Sequence, residues 1–426
     1  MKNNFIKNIQ KKIIFFANKN KKRYSEQYTE KNYLNIWQLN IGNYYLRKKF
    51  LKISFFENCK LLFFLFYKKN IAENYNFYST PANDKIFKKK YLNLIISFKS
   101  NKTDFDTHFS SNRSSSKNSL WFLINLSDQK LTEKSDNIIF SRKKKNSLNF
   151  IKFKTIILFL FWLFSPNKNH DEKLFFDTFE DALNKININT LKKIFLPYES
   201  QPYQKYIINL IKKKNPNCKV IAYCHGGLPS LPIEYFDNEL VDKIYVHSKV
   251  EKNILNNFFG WKKKKIILTK SFRHYNKKKI CSNNFYLPIS FNFNFKLKDD
   301  LDFISSKYNL RLVKIVSHPF AKNSINQKKI TDYFNRIKKK NNSTIKKKDN
   351  ITIFLGVTGS ILEALQNKLT VIHVTNNPQF ELYSNFLWKN ILVKKINSRI
   401  FVYKLKEKNT LVKYSNKNYF IKKNKL

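Results

Sequence analysis

The chain has 426 residues and carries a formal net charge of +53, from 82 Lys and Arg against 29 Asp and Glu. That length accommodates two or three domains, and a hydrophobic content of 42% is enough to build cores, so the charge belongs to a folded protein. Lys, Asn, Ile, Phe and Tyr are abundant while only 6 Gly and 1 Met occur, a pattern of AT-rich codons that accounts for part of the Lys excess.

The remaining charge has two physical readings, an anionic membrane surface or nucleic acid. Nucleic acid is the weaker, because the chain has no zinc-finger spacing, RNP-type strand or basic heptad segment. Cys59, Cys218, Cys224 and Cys281 form no CxxC pair, which argues against a zinc site or disulfide framework and for a reducing compartment, the cytoplasm. The basic N-terminus has too short an apolar stretch, and no small-residue cleavage site, for a signal peptide. The longest apolar run, "TIILFLFWLF" at 155–164, is shorter than the roughly 20 residues of a spanning helix and reads as a buried strand, with an interfacial anchor as the alternative.

In chain order, residues before about 100 mix Lys and Phe clusters such as "KLLFFLFYKKN" without a decisive period, and the Ser/Asn-rich stretch 99–119 reads as a linker. "LWFLINL" and "NIIFSR" then read as strands. A regular alternation follows: strand "KKIFLPY", helix "QPYQKYIINLIKKKN" with Pro202 in its first turn, and strand "KVIAYCH". Next come strand "DKIYVHS", helix "KVEKNILNNFFG" stopped by Gly260, and strand "KIILTKS". A second set, after "NFYLPISFNF", has a helix over 299–309, a strand in "RLVKIVSHPF", a Lys-rich helix over 324–340 and the strand–turn–helix "TIFLGVTGSILEALQNK".

Repeated strand–helix–strand units predict parallel sheets covered on both faces. The expected architecture is α/β, with two Rossmann-like domains facing across a cleft: residues 1–118 as an N-terminal region that can begin the first unit, 119–285 as the first Rossmann-like domain, and 286–426 as the second.

The candidate site residues fall at predicted strand ends, where doubly wound sheets bind ligands. In "LGVTGSILEAL" a helix N-terminus presents amides to an anion, with Gly359 for close approach and the Thr358 and Ser360 hydroxyls as further donors. Glu363 has two readings, a capping box with Ser360 or a ribose ligand, and spacing favours the cap. His318 in "SHPF" is expected on a strand end neighbouring that turn. Glu199 in "YESQP" is a candidate general base or a helix N-terminal charge, and His225 in "CHGG" a base, a substrate ligand or part of a flexible loop. His247 and Ser248 end a third strand with less support. "KDDLD" at 298–302 reads as charge at the start of a helix rather than a metal motif.

Together "PYESQPYQKYIINLIKK", "VIAYCHGGLPSLP", "SHPF" and "VTGSILEALQNKLTVIHV" resemble the GT-B-type glycosyltransferase-like proteins of bacterial surface carbohydrate biosynthesis, over about 120–395. The His-Pro pair followed by a Ser/Thr turn is similar to the HP and Ser motifs of bacterial sialyltransferases, polysialyltransferases and related glycerophosphotransferases. The resemblance implies a nucleotide-sugar donor in the second domain and a glycan or lipid-linked acceptor in the first. It also implies that His318 contacts or protonates the departing phosphate and that Thr358 and Ser360 bind it. The acidic pair before Gly that serves as base in those sialyltransferases is absent, and Glu199 stands as its substitute. The expected enzyme is metal-independent, needs no cofactor beyond its nucleotide-sugar substrate, and works in the cytoplasm, peripherally on an anionic membrane. The alternatives are a basic nucleic-acid-binding protein and a degenerate relative that keeps the fold without the chemistry.

Overall fold

The computed structural model describes residues 2–19, 73–80, 85–99, 118–125, 138–145, 183–198, 202–224, 227–232, 235, 239–270, 280, 282–288, 291, 293–308, 314–317, 325–339, 350–356, 358–406 and 409–414. The expected strand at 155–164, the cluster at 60–70 and most of the 99–119 linker lie outside them.

Eight strands form the first sheet: β1 (Glu73–Thr80), β2 (Asn93–Lys99), β3 (Ser119–Asn125), β4 (Ile138–Lys145), β5 (Lys193–Pro197), β6 (Lys219–Tyr223), β7 (Lys243–Val246) and β8 (Ile266–Leu268). Their order is β1-β4-β3-β2-β5-β6-β7-β8, parallel throughout except that β1 runs antiparallel to β4. From β4 to β8 this is a doubly wound order, reversing direction between β2 and β5. Burial on both faces explains why β5 and β6 read as unbroken apolar runs rather than alternating ones.

The second sheet holds β9 (Asn284–Tyr286), β10 (Lys314–Val316), β11 (Ile351–Leu355), β12 (Thr370–Val374), β13 (Ile391–Lys395) and β14 (Ile400–Leu405), in the order β10-β9-β11-β12-β14-β13. The first four are parallel, and β14 runs antiparallel to both of its neighbours, β12 and β13. Its order reverses between β9 and β11. The protein is therefore α/β with two Rossmann-like sheets.

Alternation along the central strands separates two cores. Ile353, Leu355, Ile372 and Val374 face a core with Leu297, Leu301, Ile304, Ile330 and Phe334, from α5 (Phe295–Lys307) and α6 (Ile325–Lys339). Phe354, Val371, Phe401 and Tyr403 face the other side, where they join α7 (Ser360–Gln366) and the core of the first sheet in one continuous cluster. Two buried crosslinks tie the units there: Trp388 Nε1 donates to Ser230 O at 2.8 Å, and Ser230 Oγ to Phe380 O at 2.7 Å.

Local signals act as the sequence predicts in the first unit. The helix Pro202–Lys214 starts on its proline, and Gln204 Nε2 reaches back to Pro197 O at 2.6 Å, closing the turn that follows β5. The helix Lys249–Phe259 opens on a Ser248/Glu251 capping box and ends at Gly260 with φ of 68°.

Three expectations change. β9, central to the second sheet, lies within the segment "NFYLPISFNF" that was assigned no element, so the second sheet begins at Asn284. β10 and β11 are not neighbours, because β9 runs between them; the stretch after β10 that leads to His318 is one strand removed from the glycine turn. "KDDLD" does not open its helix, which starts at Phe295 on an Asn294 cap. Asp300 instead pairs with Arg399 at 3.1 Å, and Asp302 accepts from Tyr333 Oη at 2.6 Å. Burial raises the Asp300 carboxyl, and Arg399 and Asn397 act against that rise.

Candidate functional site

Glu199, His225 and His318 lie outside the described residues. In sequence each stands two positions beyond a strand: β5 ends at Pro197, β6 at Tyr223 and β10 at Val316. The described part of the region comprises the glycine turn after β11, the loop from Gly227 after β6 and the side chains between them.

The turn after β11 is held from below. Gly356, at the switch between β9 and β11, takes φ of 67°, a left-handed conformation that other residues adopt at a cost of about 1–2 kcal/mol. Its amide donates to Val374 O at 2.9 Å. Its carbonyl lies 2.8 Å from His373 Nε2, and His373 Nδ1 lies 2.9 Å from Tyr403 Oη. A carbonyl can only accept, so Nε2 carries the proton and Nδ1 accepts from the tyrosine hydroxyl. His373 is fully buried, and desolvation pushes its pKa down to about 4, so the ring is neutral. His373 is not among the residues singled out from sequence; its signal is a lone His inside "TVIHV", one position before the end of β12.

The helix after the turn differs from expectation at its first residue. Gly359, not Ser360, is the N-cap of α7, and no side chain caps it there, so the Ser360/Glu363 capping box does not form. Ser360 N donates to Thr358 Oγ1 at 3.3 Å, Ile361 N to Thr358 O at 3.2 Å and Leu362 N to Gly359 O at 3.1 Å. These tight local bonds satisfy first-turn amides that an open helix end would leave for a ligand. Glu363 is buried at 4% exposure, near enough to Tyr414 to raise its hydroxyl pKa after burial itself does so.

The loop after β6 comes down on this same first turn. Gly227 has φ of 88°, and a Cβ there would lie 3.1 Å from Glu251 Oε1 and 3.3 Å from Leu362 Cδ1. A side chain there would crowd both groups on a backbone already in the left-handed region, so the position favours glycine. Glu251, fully buried, receives Leu228 N at 2.9 Å on Oε1 and His247 N at 2.6 Å and Ser248 N at 3.1 Å on Oε2. One carboxylate thus fixes both the loop after β6 and the turn after β7. Tyr383 stands near it: burial raises the phenol, Glu251 raises it further, and its Oη reaches Thr358 O at 3.4 Å.

His247 and Ser248, which sequence placed at the cleft, have structural roles. His247 is 1% exposed with Nε2 3.0 Å from Cys224 O, and desolvation lowers its pKa against the opposing influence of Glu251 and the Cys224 carbonyl. Ser248 caps its helix. The structure therefore brings the post-β6 loop onto the first turn of α7, the helix that follows the 358–360 turn, through Gly227, Glu251 and Leu362. Missed in sequence were Glu251, Tyr383, His373 and Tyr403, which hold that junction.

No family model matches the chain, and no curated protein matches it. Among solved structures it is similar to a glycosyltransferase from Rickettsia africae ESF-5, with 12% identity, 71% of this chain and 91% of that chain covered, and a TM-score of 0.27. A superposition of that quality transfers neither residues nor activity.

Proposed function

We propose that the protein is a metal-independent glycosyltransferase that moves a sugar from a nucleotide-activated donor to a surface-polysaccharide or lipid-linked glycan acceptor. The observation that carries this reading is the close approach of Gly227 to Leu362, where a Cβ at 227 would lie 3.3 Å from Leu362 Cδ1: the loop following β6 in one doubly wound sheet meets the first turn of α7, the helix that follows β11 in the other. Ligands of such sheets bind at those ends, and the turn after β11 is at a switch point. Two substrates held on facing edges are what a group transfer between them requires.

In this reading the donor phosphate takes the Gly359 amide and the Ser360 and Thr358 hydroxyls, displacing Thr358 Oγ1 from Ser360 N, while His318 offers a hydrogen bond or proton to the leaving phosphate. Glu199 accepts the acceptor's hydroxyl proton and His225 orients that hydroxyl. Charge that grows on the phosphate oxygens is stabilised by fixed donors rather than by a cation. Glu363, on the first turn of α7 and outside a capping box, is the candidate for binding the donor's ribose.

The test is thermal shift with CMP, UDP and GDP, followed by transfer assays with the nucleotide that stabilises. His318→Ala should keep the melting temperature and lose transfer. Stabilisation by none of the nucleotides, with tight salt-sensitive RNA binding, would replace this reading with a nucleic-acid one.

A further inference from the structure

The first helix carries a surface that the catalytic reading does not use. α1 (Lys2–Lys19) buries Ile6, Ile13, Ile14 and Ala17 in the core shared by both units. Gln10, fully buried, donates from Nε2 to Gln379 O and Leu382 O, each at 3.3 Å, and accepts from Ser384 Oγ at 2.5 Å. Near its end Asn18 Nδ2 donates to Phe258 O at 2.9 Å. The helix is therefore anchored to the 379–384 stretch of the second unit and to the helix Lys249–Phe259 of the first.

Its outer face is what a water-facing helix surface avoids. Phe15 is 69% exposed, and Lys7, Lys11, Lys12 and Lys19 are exposed around it. At 3.6 residues per turn these five lie within an arc of about 140°, with the phenyl ring near its centre. α1 contains no acidic residue, so no i,i+4 ion pair offsets these cations; Lys11 at the edge of the arc turns its Nζ over the Phe386 ring, 5.6 Å from the centroid, which leaves Lys7, Lys12 and Lys19 around Phe15. An uncompensated basic arc with an apolar side chain at its middle matches an anionic bilayer on both counts, since headgroups take the cations and the acyl boundary takes the ring.

We infer that the outer face of α1 docks on anionic lipid bilayers, with Phe15 entering the interface and Lys7, Lys12 and Lys19 lying against headgroups. The inference stands on α1 alone; vesicle binding and nucleotide binding can each fail without the other. Docking through a helix fastened to both units would fix the orientation of the whole protein on the membrane.

Sedimentation of the full chain with phosphatidylcholine vesicles, with and without phosphatidylserine, tests it. Binding is expected only with phosphatidylserine and should weaken as salt rises. Lys7→Glu with Lys12→Glu should lower the partition coefficient at least about tenfold, from the energy of each basic residue near such a surface. Phe15→Ser should lower it about fivefold at every salt concentration, because that contribution is apolar. Reversal of two exposed lysines on the second sheet, Lys394→Glu with Lys404→Glu, should change it less than about twofold, those residues lying off the docking face. Circular dichroism confirms that each variant is folded. Equal losses from the two double variants, or no loss from Phe15→Ser, would overturn the assignment, as would a Phe15→Ser variant impaired in binding single-stranded RNA but not vesicles.

Discussion

His373 offers the sharpest test of how the glycine turn is held. Replacing it with Phe keeps a ring in the cavity but removes the donor to Gly356 O and the acceptor for the Tyr403 hydroxyl. Two buried polar groups lose partners at about 1–3 kcal/mol each, so the variant should be about 3 kcal/mol less stable at pH 7. Protonation adds a second signature. The ring's pKa falls from 6.5 in the unfolded chain to about 4 when buried, so between those values the unfolded chain binds more protons. Wild-type stability is then fully present above pH 6.5, declines as pH falls through the window, and levels off below about 4. At about 1.4 kcal/mol per unit, the wild type loses about 2 kcal/mol from this residue between pH 6.5 and 5. The variant loses nothing from it, so the gap should close from about 3 to about 1 kcal/mol. Urea titrations at pH 7 and pH 5 measure it, with equal m-values confirming the same unfolding reaction. A gap of the same size at both pH values would refute the neutral, doubly bonded ring.

Other positions test the junction. Gly227→Ala should destabilise by about 1–2 kcal/mol, through its left-handed backbone and its contacts with Glu251 and Leu362, and lower the urea midpoint; an unchanged midpoint would mean the loop does not lie on α7. Glu251→Ala removes the acceptor of three buried amides and should cost about 3 kcal/mol or more by urea unfolding, with Glu251→Gln recovering part of it. Arg399→Leu strands the nearly buried Asp300 carboxylate and should cost more than Asp300→Asn, by about 1–2 kcal/mol after discounting for the partial exposure of the pair; equal melting temperatures would argue that the pair contributes only packing.

Much of the fold was legible because its signals are local. The helix Lys249–Phe259 announces its end with Gly260 beyond the last apolar residue, whereas its start, a Ser248/Glu251 capping box, reads in sequence as a strand end at the cleft. The strands β5, β6 and β11 stand out because burial on both faces demands continuous apolar runs. β9 lacked such a signal. It is three residues long with only Phe285 buried, preceded by Asn283 at φ of 62°, and its place is set by partners distant in sequence, β10 and β11. β2 was lost differently: "NLIISFK" is apolar enough, but in a chain where Lys, Ile and Phe recur everywhere that composition has little contrast.

The site divides along the same line. Glycines and hydroxyls at strand ends are visible because such turns constrain residue type locally. Whether a turn is open to a ligand depends on hydrogen bonds that sequence does not display. Ser360 and Glu363 have the spacing of a capping box, yet the helix begins one residue earlier, and Thr358 supplies both its hydroxyl and its carbonyl to the first turn. That arrangement sets a condition on any phosphate bound there. It must exchange with a neutral, short-range bond from Ser360 N, while Gly356 below is immobilised by His373 and Val374. A charge-assisted hydrogen bond is about twice as strong as a neutral one, so the exchange favours an anion over water or an uncharged hydroxyl. Under the proposed function, that preference would select a phosphate-bearing donor over a free sugar at the cost of one local hydrogen bond, Ser360 N to Thr358 Oγ1.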